Sequence, residues 1–247
     1  VFIRVHLRLK YKMSFRQKSM LKSNRKIRNK SVAFDDFATE YDFAATLQSQ
    51  NDFFTKNLSA SKGTALDIGC GSGILAFELA KYYDRVVAVD LSAKMLDIAS
   101  QKRSAPNIEY IQMDASQLAL DRQFDLIVSA ATFHHLPNLP AALPAIKNLL
   151  NRQGKIVFLD NVSEVETPAT IGYIVGAARD YIPDCSKYGF RNASRLLKFR
   201  LSPGWLNHLA SDRYLSEAKF KNIYGRCFPG CYFVKLDCFM GVIWENL

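Results

Sequence analysis

Two acidic residues bracket a run of alternating glycines, Asp67-Ile68-Gly69-Cys70-Gly71-Ser72-Gly73, with Asp90 at the end of the next apolar run. Glycine permits sharp turns and lets a ligand approach the backbone closely. A carboxylate closing the following strand can accept hydrogen bonds from both hydroxyls of a ribose. The apolar runs 64–68 and 85–89 read as strands, and the pattern from Ile74 to Tyr82 reads as a helix between them. Together they describe a nucleoside-binding crossover. The spacing is G-x-G-x-G, and Ile74 stands where a dinucleotide site would have its third glycine. No lysine follows the loop to anchor phosphates, which argues against a nucleoside triphosphate.

The elements that must position these residues alternate strand and helix. Ser92 is placed as an N-cap, with Met95, Ile98, Ala99 and Lys102 forming one stripe. Further strands are expected at 108–112, ending near Asp114, at 124–128, and at 155–159. Leu139, Leu143, Ile146 and Leu150 line one helical face that Gly154 is expected to close. Pro144 falls within that face, so the helix either starts later than Asn138 or kinks. Repeated βα units imply right-handed crossovers and a parallel sheet. Helical spacing returns at Ile171, Ile174, Val175, Ala178 and Ile182, weakens over 183–203, and returns over 205–218. Runs 220–228 and 232–244 read as a β-hairpin about Pro229-Gly230.

Leu66 to Gly73 resembles the first motif of the class I S-adenosylmethionine-dependent methyltransferases. The segment Phe34-Asp35-Asp36-Phe37-Ala38-Thr39-Glu40-Tyr41-Asp42 resembles the F-D-x-x-A-x-x-Y-D entry of its small-molecule members, and His134-His135-Leu136 resembles the quinone-biosynthesis group. The resemblance spans 64–160, extends to 34–58 and 204–247, and is silent over 161–203. It implies an α/β, Rossmann-like fold with a seven-stranded, mostly parallel sheet in the order 3-2-1-4-5-7-6 and helices on both faces. S-adenosylmethionine is the implied cofactor. Gly69 and Gly71 would meet its methionine part, Asp67 would orient the loop and the amino group, and Cys70 would fill the loop with a small side chain. Asp90 would hold the ribose, with Leu91 beside the adenine, Asp114 and Ala115 on its edge, and Ser129 and Tyr41 bordering the site. Asp114 as a helix cap and Tyr41 as ordinary packing stay open. His134 and His135 follow the fourth strand as candidates for a general base, or as walls of the acceptor pocket.

Charge distribution limits the partners. The chain of 247 residues has a net charge of +10, but residues 1–33 hold eleven Lys and Arg and no acid, leaving 22 basic against 23 acidic residues elsewhere. That leader reads as disordered or as a processing segment, and a mitochondrial transit peptide is the alternative to a cytoplasmic protein. The body, 34–247, reads as one domain, with 34–58 a lid and 161–203 an insertion over the substrate pocket. The longest uncharged stretch, 126–146, carries three prolines and two histidines and is no membrane span. Five cysteines suggest no disulfide framework and suit a reducing compartment. Cys227, Cys231 and Cys238 lack the tight pairing of a structural zinc site, so no metal is expected.

Three rival functions are weaker, one of them a cofactor-binding accessory subunit without catalysis, which the intact glycine loop and its acids disfavour. A nucleic-acid methyltransferase acting on a base amine typically has Asn/Asp-Pro-Pro-aromatic after strand four, where this chain has Ser129-Ala130-Ala131-Thr132. No nucleic-acid partner is expected, and a protein substrate is the related alternative. An NAD-dependent oxidoreductase is disfavoured by the glycine spacing and by Asp114. The expected reaction is methyl transfer to a small molecule. Tyr173, Tyr181, Tyr188, Phe190 and Phe199 hint that it is apolar or aromatic.

Overall fold

The computed structural model describes residues 34–164 and 171–246. The basic leader, 1–33, lies outside the described residues, as do 165–170 of the insertion. Strands β1 (Thr64–Ile68), β2 (Arg85–Asp90), β3 (Ile108–Gln112), β4 (Phe124–Ala130), β5 (Leu150–Asn161), β6 (Tyr232–Leu236) and β7 (Phe239–Glu245) form one sheet in the order β3-β2-β1-β4-β5-β7-β6. The first five pair in parallel, and β7 runs antiparallel to both β5 and β6. This is the sheet the resemblance implies. Strand order reverses between β1 and β4, where the flanking loops part and leave a crevice beyond the strand ends.

Period-two alternation sends successive side chains to opposite faces. Leu66, Ile68, Val87, Val89, Ile127, Ile156 and Phe158 bury on one face, against α5 (Leu139–Asn148) and α10 (Glu217–Cys227). Ala65, Val86, Ala88, Leu126, Val128, Val157 and Leu159 bury on the other, against α2 (Asn51–Thr55), α3 (Ile74–Leu79) and α4 (Ala93–Lys102). Ser92 caps α4 by accepting the Met95 amide at 3.1 Å. Above the strand ends, α1 (Ala38–Leu47) meets α6 (Ile171–Arg179), α7 (Tyr181–Tyr188), α8 (Phe190–Arg200) and α9 (Pro203–Ser211) in a helical cap. Among the described residues no helix is long and apolar enough to cross a membrane.

Several elements differ from expectation. Residues 220–228 are not a strand: Ser216 caps α10, and Phe220, Tyr224 and Phe228 recur every fourth residue toward the sheet. The hairpin instead turns between β6 and β7, where Asp237 takes a left-handed φ of 49°. The expected helix 205–218 stops at Ser211, because Asp212 and Ser216 turn extended. The weakly periodic stretch 183–203 holds most of α7, all of α8 and the start of α9, and α8 buries Ala193, Leu196 and Phe199 under a polar outer face. Gly154 does not end a helix; it lies inside β5, where a register shift separates Phe124 from Leu126 on β4. Helix α3 ends at Leu79, before Tyr82, and the entry region breaks between α1 and α2.

Pro144 resolves the open question about α5. Asn138 caps the helix by accepting the Ala141 amide, and the helix continues through the proline. A mid-helix proline costs roughly 3 kcal/mol. Complete burial of Leu143 and Ile146 stabilises by about 1.5–3 kcal/mol each and offsets that cost. Phe158 is fully buried at the centre of the sheet, edge-on to Phe133 at 4.9 Å. Phe158→Ala should cost about 3–5 kcal/mol. The measurement is urea unfolding, in which the midpoint should fall at an unchanged slope.

Candidate functional site

The loop from β1 to α3 follows from its glycines. Gly69, Gly71 and Gly73 all take left-handed φ values, 72°, 52° and 81°. A Cβ on Gly69 would strike the Thr132 side chain, and one on Gly73 would lie 2.5 Å from the Tyr110 hydroxyl. A Cβ on Gly71 would meet nothing within 4 Å, so this backbone faces open space. The amides of Gly69 and Cys70 both donate to the Val89 carbonyl, at 2.8 and 3.0 Å. Asp90 completes the clamp: Oδ2 accepts the Gly71 amide and Oδ1 the Ser92 amide, both at 2.8 Å.

Asp67 is 1% exposed beneath this loop, and its Oδ2 has no hydrogen-bond partner. Burial, then the Asp90 charge, pushes its carboxyl up to about 7. A buried carboxylate oxygen lining a cavity without a donor fits a cationic ligand group. Burial also pushes the Cys70 thiol well up, so it is an inert small side chain in the loop.

Helix α1 is latched onto this machinery. Asp42, 3% exposed, binds Lys102 Nζ at 2.6 Å and Arg103 Nη1 at 2.7 Å, while Arg103 also donates to the Ser72 carbonyl at 2.9 Å. Burial works against the Asp42 charge, but hydrogen bonds from Lys102, Ser72 and Arg103 outweigh it and hold the carboxyl below its usual range. Ser92 Oγ donates to Asp35 at 2.6 Å, tying the start of the segment to α4. Tyr41 projects from α1 to the cavity, its phenol pushed up to about 12 by burial and by Asp90, Asp212 and Asp160.

The far wall is a cluster of histidines and carboxylates. A short 3-10 turn, Phe133–His135, follows β4. Asp160, at the end of β5, accepts the His134 amide at 2.9 Å and faces His134 Nδ1 at 2.6 Å. An ionised carboxylate only accepts, so in that state His134 Nδ1 carries the proton of this hydrogen bond. Asp212, 2% exposed after α9, accepts the Tyr214 hydroxyl on Oδ2 at 3.1 Å. His135 Nδ1 stands 3.3 Å from its Oδ1, and His134 Nε2 and His208 Nε2 each stand 3.8 Å from its Oδ2. Burial raises the Asp212 carboxyl, but the three histidines, His135 foremost, hold it below its usual range. Burial and the neighbouring His134 lower His135.

One cavity of about 540 Å³ joins the two walls. It brings together Tyr41, Asp67, Gly69, Cys70, Gly71, His134 and His135 from the sequence-predicted set. Asp90 adjoins it through Gly71. Leu91, Asp114, Ala115 and Ser129 lie outside its lining. Asp114 Oδ1 accepts the Ser116 amide at 2.8 Å in a turn with no helix between it and β4, so it is not the helix cap considered above, and Ser129 Oγ donates to the Ile68 carbonyl, tying β4 to β1. Sequence reasoning missed Asp160, Asp212, His208 and Tyr214. Asp160 was findable by the strand-end rule that marked Asp90, whereas the other three carry no local signal.

Residues 66–158 match the family model of a methyltransferase domain. The chain is 32% identical over 152 residues to an uncharacterized methyltransferase of Alkaliphilus oremlandii, covering 54% of this chain and 68% of that one. It is 30% identical over 137 residues to the malonyl-[acyl-carrier protein] O-methyltransferase of Priestia megaterium, covering 51% and 48%. The chain thus spans about half the length of that relative. In fold it is similar to a structure of DhpI in complex with SAH, with a TM-score of 0.61 at 18% identity, covering 88% of this chain and 95% of the other. Fold and glycine loop define a class I nucleoside-binding α/β protein. The chain belongs to the S-adenosylmethionine-dependent methyltransferase family.

The loop geometry separates two substitutions. Gly71→Ala should cost about 1–2 kcal/mol, the left-handed penalty alone. Gly69→Ala should cost a further 1–3 kcal/mol or so, because Thr132 must also move. Thermal melts of both variants check the order.

Proposed function

We propose that the protein transfers a methyl group from S-adenosylmethionine to a small-molecule acceptor held beneath the helical cap. The observation that carries this reading is the cavity shared by the glycine loop, the unpartnered Asp67 oxygen and the histidine–carboxylate wall. The cofactor supplies an electrophilic methyl on a sulfonium. Asp67 receives the amino group, and the open backbone at Gly71 lets the methionine portion approach. Asp90, already fixed by two amides, accepts the ribose hydroxyls on its remaining lone pairs, and Leu91, Asp114 and Ala115 border the adenine. Alignment of nucleophile, methyl and sulfur supplies about 7–11 kcal/mol of the catalysis.

Residues 34–58 and the helices of 171–200 act as the cover. Tyr41, Phe199 and Trp205 give the acceptor an apolar, aromatic surface and keep water from the sulfonium. On the opposite wall His134, oriented by Asp160, and His135 handle the acceptor oxygen and its proton. The Priestia relative is an O-methyltransferase, which supports an oxygen acceptor. Five free thiols support a reducing compartment such as the cytoplasm.

Calorimetry with S-adenosylmethionine, its demethylated product and NAD tests the reading; NAD binding without a response to either sulfur nucleoside would overturn it. Asp90→Ala should remove charge-assisted hydrogen bonds worth about 1.5–3 kcal/mol, weakening cofactor binding roughly ten- to a hundred-fold. The Asp67 carboxyl, raised to about 7, must be ionised to hold an ammonium. Affinity should therefore rise with pH by up to about tenfold per unit below 7 and level off above, with proton release on the acid side. Asp67→Asn should abolish that slope.

A further inference from the structure

His134, His135 and Asp212 each present one donor atom within 4.8 Å of the other two, in a buried corner of the cavity. The separations are informative. His135 Nδ1 to Asp212 Oδ1 is 3.3 Å, and His134 Nε2 to Asp212 Oδ2 is 3.8 Å. Both exceed an ordinary nitrogen–oxygen hydrogen bond. The 3.3 Å separation matches the edge of a coordination tetrahedron, roughly 3.3–3.6 Å for metal–ligand bonds near 2.0–2.2 Å, and the 3.8 Å separation, to the other carboxylate oxygen, is slightly wider. Asp212 Oδ1 is buried and makes no hydrogen bond of good geometry, although Oδ2 takes the Tyr214 hydroxyl.

The surroundings are arranged as a metal's outer shell is. Asp160 Oδ1 lies 2.6 Å from His134 Nδ1, placed to accept its N–H and orient the ring, the carboxylate–histidine–metal relay. Tyr214 orients Asp212 in the same way. Asp160 and Asp212 are both buried, at 4% and 2% exposure, and a divalent cation offsets buried carboxylate charge. Two imidazoles and one carboxylate suit a borderline transition ion such as zinc or ferrous iron rather than magnesium or calcium.

We propose that His134, His135 and Asp212 bind a divalent transition-metal ion, positioned by Asp160 and Tyr214, whose open coordination position takes an oxygen of the acceptor. Three protein ligands with a vacant position are the arrangement of a catalytic rather than a structural site. A hydroxyl or carboxyl bound there loses its proton more readily. The cation then does the work assigned above to the bare histidines, so the acceptor role rests on the methyl-transfer reading, while metal binding itself does not. The ligands come from the turn after β4 and from the end of α9, 77 positions apart between His135 and Asp212, so the usual short metal-ligand spacings are absent. This departs from the expectation of no metal.

The test uses the full chain, stripped with a chelator and titrated with Zn²⁺ by calorimetry and with Co²⁺ by visible absorption, without cofactor or acceptor. The expected result is one equivalent of each ion and a cobalt spectrum of nitrogen and oxygen ligation. Asp212→Asn and His135→Gln should abolish the site, and Asp160→Asn should weaken it roughly ten- to a hundred-fold. Circular dichroism and S-adenosylmethionine affinity, read at the separate glycine-loop site, establish that each variant is folded. No saturable binding, a thiolate spectrum, or binding unchanged in both Asp212→Asn and His135→Gln would overturn the proposal and leave a hydrogen-bonded histidine network. Metal binding without cofactor binding would sink the methyl-transfer reading and leave the metal site standing; the reverse result would do the opposite.

Discussion

The carboxylate of Asp90 is the interaction on which the site depends. It joins the Gly71 and Ser92 amides, so one side chain sets the glycine loop, the end of β2 and the start of α4 in a single geometry. Hydrogen bonds from amides to an ionised carboxylate are about twice as strong as neutral ones. The consequence spreads through charge as well as position. Asp67 lies near enough to feel Asp90, and together with its own burial this raises the Asp67 carboxyl into the neutral range. The loop thus holds one carboxylate satisfied by backbone amides and one carboxyl whose Oδ2 has no hydrogen-bond partner.

The cap is held by a different balance. Around the latch of Asp42 with Lys102 and Arg103 sits an aromatic layer of Phe37, Tyr41, Phe199 and Trp205. Breaking one partner of a buried ion pair costs far more than the pair contributes over an apolar equivalent. Such a latch therefore specifies where α1 sits more than it adds stability. The aromatic layer supplies the burial, and Arg103, through the Ser72 carbonyl, carries the cap's position into the glycine loop.

The two walls of the cavity differ in character because different parts of the fold make them. The loop wall is backbone, preset by left-handed glycines. The opposite wall is side chains from β4, β5 and the end of α9, converging on Asp212. Three histidines around one buried carboxylate keep that anion ionised where solvent cannot.

The sheet, its strand order and the glycine loop were legible in the sequence because each is a local pattern. Period two in 85–89, alternating glycines in 69–73 and an acid at a strand end all act over a few residues. The last third was less legible. Phe220, Tyr224 and Phe228 lie among residues of good strand propensity, and only their four-residue spacing against the sheet marks a helix. Helices α7 and α8 were hidden because their apolar stripe is narrow and is satisfied by the cap, not by the sheet. His134 and His135 were visible as a pair after a strand. That Asp160 and Asp212 complete them was decided only by tertiary structure, since side chains far apart in sequence meet where the ends of β4, β5 and α9 converge. Local spacing determines which elements form; packing decides which charges must share a buried corner.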